Sequence, residues 1–355
     1  MRLSTFLVFP ALFWASNGQN INQLFHTVPI PGAGSCSGAQ SLALNSWLTD
    51  TLTLVNAAMD DLKTFDMGNV DATPRLTRNL IAWFKVRVTK GRRVNEGDTG
   101  KITTISNTFA ALADFLAEQN PNLVGESMPW LFCGGGWQVE TDLLYEEDTG
   151  NPILDDSVNP PVQANMRTFP IPPGADDSIT SLLSKMQQGW PANPAYYAYW
   201  SSDIRDYMIV PAAKRYNGNP RDFCTPPTGE IFFAFTIDDM LTDSVTICPD
   251  SFNTLSEPFE TIQQSMAAPA AANVGTYLND VSPRGLTLLH EFIHLTLGTD
   301  KKKTGDSGTK PTECLTLAGA KAVINPDSYA FFAWSLFLEA HGPNNLQWHT
   351  GRSQD

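Results

Sequence analysis

The sequence predicts an α+β protein, largely helical with one small β-sheet, on three observations. Apolar residues recur at helical spacing through most of the first third. Two short β-rich runs, Ile231 to Ile237 and Ser244 to Cys248, are joined by polar residues. Finally, His290-Glu291-Phe292-Ile293-His294 lies inside a helical pattern, where the i, i+4 spacing puts two imidazoles on one face.

Residues 1–18 read as an export signal: Arg2 is a short positive start, Phe6 to Trp14 an apolar run, and Ala15 to Gly18 small or polar residues. That run is shorter than the about 20 residues of a membrane span. No later stretch is long and apolar enough, so a secreted, non-membrane protein starting near Gln19 is expected. A short N-terminal segment, residues 19–35, then precedes the main domain.

Leu44, Leu48, Leu52, Val55, Met59 and Leu62 keep a helical period, as do Ile105, Phe109, Leu112 and Leu116. Leu80, Ile81, Trp83 and Phe84 predict a shorter helix between them. From about 150 to 200 the prolines at 152, 160, 161, 170, 172 and 173 break regular structure, before the aromatic run Tyr196, Tyr197, Tyr199 and Trp200. We read this as an inserted excursion whose aromatics pack it onto the domain. Further on, Ser282 as N-cap, Pro283 at the first turn and Gly298 as the stop delimit the H-E-x-x-H helix. Leu286, Leu289, Ile293 and Leu297 form its core stripe. A helix from Thr312 to Val323 and a buried one containing Tyr329 to Leu338 complete the chain.

A formal charge of −14 argues against nucleic acid or an anionic membrane surface as partner, since both select basic patches. Lys301, Lys302 and Lys303 are the one dense basic cluster, read as a solvated loop. Gly97 to Ile102 does not meet the phosphate-loop pattern. The 5 cysteines are too far apart for a zinc ribbon, and in an exported chain they should oxidise, leaving one over. The expected bridges are Cys224 with Cys248, flanking the hairpin, and Cys36 with Cys133, with Cys314 a buried free thiol.

Two neutral imidazoles one turn apart can bind one Zn²⁺, and Glu291 beside them can take a proton from a water acidified by the metal. A catalytic zinc typically has three protein ligands. Downstream candidates for the third are Asp300, Asp306, Glu313, Asp327, His341 and His349. Asp300 has metzincin spacing, but Leu297 stands where that pattern needs Gly and no Met follows His294. Glu313 has roughly thermolysin-like spacing.

The H-E-F-I-H helix, the Gly/Thr/Asp loop after it and Asn325-Pro326-Asp327-Ser328-Tyr329-Ala330 together resemble the aspzincins, the deuterolysin and peptidyl-lysine metalloendopeptidase family of secreted, mostly fungal proteases. The resemblance is specific over residues 286–338 and diffuse elsewhere. It implies a zincin-like metalloprotease fold with H-E-x-x-H on the active-site helix, one catalytic domain over 36–355, and one zinc ion. By that resemblance the third ligand is the Asp of a G-T-x-D-x-x-Y-G segment. Counting back without gaps from Asp-Ser-Tyr-Ala puts it on Asp306, preceded by Thr304 and Gly305, while a literal match offers Asp300.

Two departures follow. The family's tyrosine, which donates to the developing oxyanion, falls on Thr309, leaving Tyr329 as a possible substitute near the substrate. The acidic pocket of the lysine-specific branch keeps Asp327 but has Ala330 in place of Glu, so a preference for basic P1′ residues is at most partial. Asp327 could equally serve the dipole of its own helix. The expected protein is a monomeric, secreted zinc endopeptidase acting on protein or peptide substrates. The alternatives are a catalytically weak binding or effector protein on a zincin scaffold, and a metal-dependent amidase.

Overall fold

The computed structural model describes residues 20–117, 128–171, 177–212, 224, 233–238, 240, 242–253, 259–298 and 304–355. The export signal, Lys301 to Lys303 and Asp300 lie outside the described residues, as do Ile231 and Phe232 of the first β-rich run.

A four-residue helix α1 (Ile21–Leu24) and a short strand β1 (His26–Thr27) lead into α2 (Gly38–Lys63). Ser37 starts α2 with a capping box: its hydroxyl accepts from Gln40 N while the Gln40 side chain accepts from Ser37 N. Next come α3 (Pro74–Phe84) and α4 (Thr99–Leu116), so the three periodic stretches of the first third are helices. Strand β2 (Trp130–Cys133) follows, and Cys133 is bridged to Cys36 just before α2.

The middle of the chain holds β3 (Gln138–Glu140), β4 (Leu154–Asp155), β5 (Val162–Gln163), α5 (Asp177–Gln187), β6 (Tyr196–Ser201) and β7 (Asp206–Pro211). Strands β3, β6 and β7 form an antiparallel sheet with β6 central, and β4–β5 is a separate hairpin. This region has its own small core of Leu144, Met166, Leu183, Met186, Ala198 and Trp200. Its aromatic run serves packing: Trp200 stacks on Tyr145 at 4.9 Å, while Tyr199 and Tyr197 cluster with Phe235 of the main sheet. Buried Arg167 ties the region together, donating to Asp142 and to the carbonyls of Met186 and Tyr196.

Strands β8 (Ala234–Ile237) and β9 (Ser244–Ile247) form the expected hairpin, and Cys224 is bridged to Cys248 at its end. The four-stranded sheet runs β1-β2-β9-β8, with β1, β2 and β9 parallel and β8 antiparallel at the border. The last part comprises α6 (Ile262–Ala267), α7 (Gly285–Leu297), α8 (Pro311–Cys314), α9 (Gly319–Ala322) and α10 (Pro326–His341). Every residue from Ser328 to Leu338 is buried, as expected for an apolar helix. Helix α7 packs on α2, α4 and α10 and faces β8, so it lies between the helical layer and the sheet.

Two boundaries differ from expectation. The N-cap of α7 is Arg284, because the Ser282 hydroxyl donates to Leu278 O in a preceding 3₁₀ turn. The stretch from Thr312 to Val323 divides into α8 and α9: the Lys85 ammonium takes the Leu315 carbonyl at 2.6 Å, removing an acceptor from a continuous helix.

Helix α7 approaches α2 closely at Gly285, where a Cβ would lie 2.9 Å from Asp50 Cβ and 3.2 Å from Trp47 O. Asp50 is buried there, and one oxygen accepts from Ile262 N at 2.9 Å. Burial pushes its pKa up to about 6, against that hydrogen bond. The folded protein therefore holds this proton more tightly than the unfolded chain, and the stability it provides is lost as pH rises from about 4 to about 6. Asp50→Asn keeps the acceptor and removes the charge. It should leave stability at pH 4 nearly unchanged and raise it above pH 6 by about 2–4 kcal/mol, read from urea unfolding.

Candidate metal centre

Helix α7 presents His290 and His294 on one face, with ring centroids 4.9 Å apart. Gly298 ends the helix with φ 84°, donating to His294 O at 2.7 Å. This left-handed turn suits glycine and lets the chain double back toward the histidines. The returning segment brings Asp306 against them: Asp306 Oδ1 is 3.3 Å from His290 Nε2 and 3.1 Å from His294 Nε2. Ligand atoms of these three residues lie within 4.8 Å of one another, and among the described residues they are the one such group of three or more metal-ligating side chains.

The spacing suits a small divalent ion. Tetrahedral ligands at about 2.0–2.1 Å from a metal stand roughly 3.3 Å from one another, close to the 3.1 and 3.3 Å observed. The two imidazoles are nearly buried, whereas the Asp306 side chain is 51% exposed, so the group has a protected floor and an open side. Asp306 sits below the usual carboxylate range: burial opposes this, but the hydrogen bonds and charges of His290 and His294 outweigh it.

Both imidazoles are oriented from behind. His290 Nδ1 lies 3.2 Å from Asp327 Oδ1, and a carboxylate accepts, so Nδ1 carries a proton and Nε2 is the atom that faces Asp306. His294 Nδ1 lies 2.8 Å from the hydroxyl of buried Thr304.

Glu291, between the histidines in sequence, is 3% exposed. Its Oε2 accepts from the Thr236 hydroxyl at 2.7 Å, and its Oε1 is 3.9 Å from His290 Nε2. Burial raises its pKa, against the lowering by His290, His294 and Thr236. Thr236 stands on β8, so the border strand of the sheet positions this carboxylate.

The loop carrying Asp306 is held by Asn325. Its buried Oδ1 accepts from Ser307 N at 2.9 Å and Gly308 N at 3.1 Å, while Gly305 N donates to Ile324 O at 2.9 Å. The Asn325 amide also donates to Ser328 Oγ and faces the Cys314 sulfur. Cys314 is free and buried at the end of α8, and burial pushes its thiol up to about 12. It is therefore an inert packing group in this web. Asn325→Ala would strand two backbone N–H groups and should destabilise the protein by about 2–5 kcal/mol. The affinity of this group for a divalent ion should fall in parallel by about 10–100-fold, measured by chelator competition below the unfolding range.

The other candidates stand elsewhere. Glu313 Oε2 accepts from Thr309 N at 3.0 Å on the surface, and the Thr309 hydroxyl points to the same oxygen. His341 packs on Phe337 at the end of α10, and the His349 backbone donates to Glu339. Tyr329 is corrected: it is fully buried, donating to Val323 O at 2.7 Å and accepting from Thr108, so its phenol is not available to a substrate. Asp327 is in the first turn of α10, and its carboxylate is engaged with His290. Thr236 escaped sequence reasoning, while Thr304 and Asn325 entered it only as parts of the resembling segments, with no role given to their side chains.

No helix among the described residues is long and apolar enough to cross a membrane, and both expected disulfides are present. Comparison with known proteins finds no family model and no curated protein that matches this chain.

Proposed function

We propose that the protein is a secreted zinc-dependent endopeptidase of zincin-like fold, in which His290, His294 and Asp306 hold the metal and Glu291 is the general base. The observation that carries this reading is the convergence of two Nε2 atoms and one carboxylate oxygen beside a buried glutamate that is not itself in the ligand group. A structural zinc site would not need that glutamate. Zinc, when bound, supplies a Lewis acid that acidifies water to a pKa of about 7 and polarises a carbonyl.

The chain supplies the rest. Glu291 accepts the proton of the attacking water, and its burial favours a carboxyl that takes up and returns that proton. Thr236 fixes the carboxylate through Oε2, leaving Oε1 on the side of the histidines. The exposed side at Asp306 is where a substrate would approach the group. Because Asp327 is engaged with His290 and Ala330 is 1% exposed, no acidic pocket for a basic side chain is part of this reading.

The direct test is hydrolysis of an unfolded protein substrate, with mass-spectrometric mapping of the cleaved bonds. Activity should vanish with EDTA, return with stoichiometric Zn²⁺, and show no enrichment of Lys or Arg after the cleaved bond. Activity that survives EDTA overturns the reading. One observation favours a second reading, a zinc-binding protein with little turnover: Thr309, where the resemblance places an oxyanion donor, is tied to Glu313. Stoichiometric zinc without cleavage of any peptide library would select it.

A further inference from the structure

The two histidines are held by unlike partners. Behind His290 is the carboxylate of Asp327 at 3.2 Å. Behind His294 is a hydroxyl, Thr304 Oγ1, at 2.8 Å, and that hydroxyl lies 2.5 Å from Gly298 O. A carbonyl only accepts and a hydroxyl has one hydrogen, so the Thr304 hydrogen goes to Gly298 O. Its oxygen must then accept from His294 Nδ1. That leaves Nε2 to face Asp306 at 3.1 Å, the side on which a metal ion would be held.

We propose that Thr304 is a positioning residue of the metal centre, which fixes the ring orientation of His294 through the relay His294 Nδ1–H, Thr304 Oγ1–H, Gly298 O. This rests on the metal-site reading given above. The relay is local and closed. Thr304 is 6% exposed and His294 6%, so water competes poorly for either hydrogen bond. Gly298 contributes through its backbone, since its φ of 84° ends α7 and its carbonyl receives the hydroxyl. A neutral acceptor behind one imidazole and an anionic one behind the other also limits the negative charge around the ion, while Asp327 alone adds basicity to a ligand.

Thr304→Val replaces the hydroxyl by a methyl of similar size, and Thr304→Ser keeps the hydroxyl. With wild type and Thr304→Ser as references, Zn²⁺ affinity measured against a chromophoric chelator should be about 10–100-fold weaker in Thr304→Val, and within about threefold of wild type in Thr304→Ser. A loss of packing alone would not touch the ring's hydrogen bond, so the second readout is ¹H–¹⁵N NMR of His294 Nδ1–H in the zinc-loaded protein. Wild type and Thr304→Ser should show a slowly exchanging Nδ1–H resonance, and Thr304→Val should lose it to exchange with water. Equal zinc affinity in wild type and Thr304→Val, or an equally protected Nδ1–H in both, overturns the proposal. Wild type that binds no zinc would instead remove the metal reading, and this proposal with it, whereas zinc held equally by both proteins removes the proposal alone.

Discussion

Glu291→Gln is expected to bind Zn²⁺ with wild-type stoichiometry, unfold at nearly the same denaturant concentration, and hydrolyse peptides about 10²–10⁴-fold more slowly. The glutamine is nearly isosteric, and the Thr236 hydroxyl, now 2.7 Å from Oε2, can still donate to the amide oxygen. What disappears is the ability to take a proton. Removing a buried carboxylate of raised pKa should not weaken the fold, so lost activity could not be ascribed to unfolding. The measurement is kcat/KM on a quenched fluorescent peptide, alongside zinc content by mass spectrometry. Activity within threefold of wild type would remove Glu291 from the mechanism.

Asp306→Asn is expected to have the second large effect, the loss of both metal and activity. An amide oxygen is a neutral ligand, and it would replace the one anionic donor of a His₂Asp set whose oxygen stands 3.1 and 3.3 Å from the two imidazoles. Zinc affinity should fall by at least about 10²-fold, and hydrolysis should fall with occupancy. The fold should persist, because the Asp306 side chain is half exposed and its loop is held independently by Asn325. Asp300→Asn is the control. If it alone lost metal, the third ligand would be Asp300 and the Asp306 assignment would fail.

The parts of this structure legible in the sequence are those where one physical signal acts over many residues. Helices α2 and α4 follow from apolar residues repeated every three or four positions, and α10 from an apolar run too long for a strand. The i, i+4 histidines put the metal face on α7, and Gly298 marks its end because a left-handed turn favours glycine. The β8–β9 hairpin and its disulfide were equally visible.

The parts that were not legible depend on partners far along the chain. The parallel pairing of β1, β2 and β9 joins segments more than a hundred residues apart, and β1 is only two residues long. The break between α8 and α9 is made by Lys85 capturing the carbonyl of Leu315. Thr236 carries no signal in sequence and Thr304 only its place before Asp306, and each gains its role from one hydrogen bond, to Glu291 and to His294. Asp327 illustrates the difference most clearly. Its position at a helix start suggested either a substrate pocket or a dipole partner, but only the three-dimensional structure sets its carboxylate behind His290.

Anomalous diffraction at the zinc edge from crystals grown with one equivalent of Zn²⁺ would test the centre itself. We expect a single strong peak bounded by His290 Nε2, His294 Nε2 and Asp306 Oδ1, with the Glu291 carboxylate beyond bonding distance of the ion. A peak elsewhere, or none between the two rings, would contradict the account.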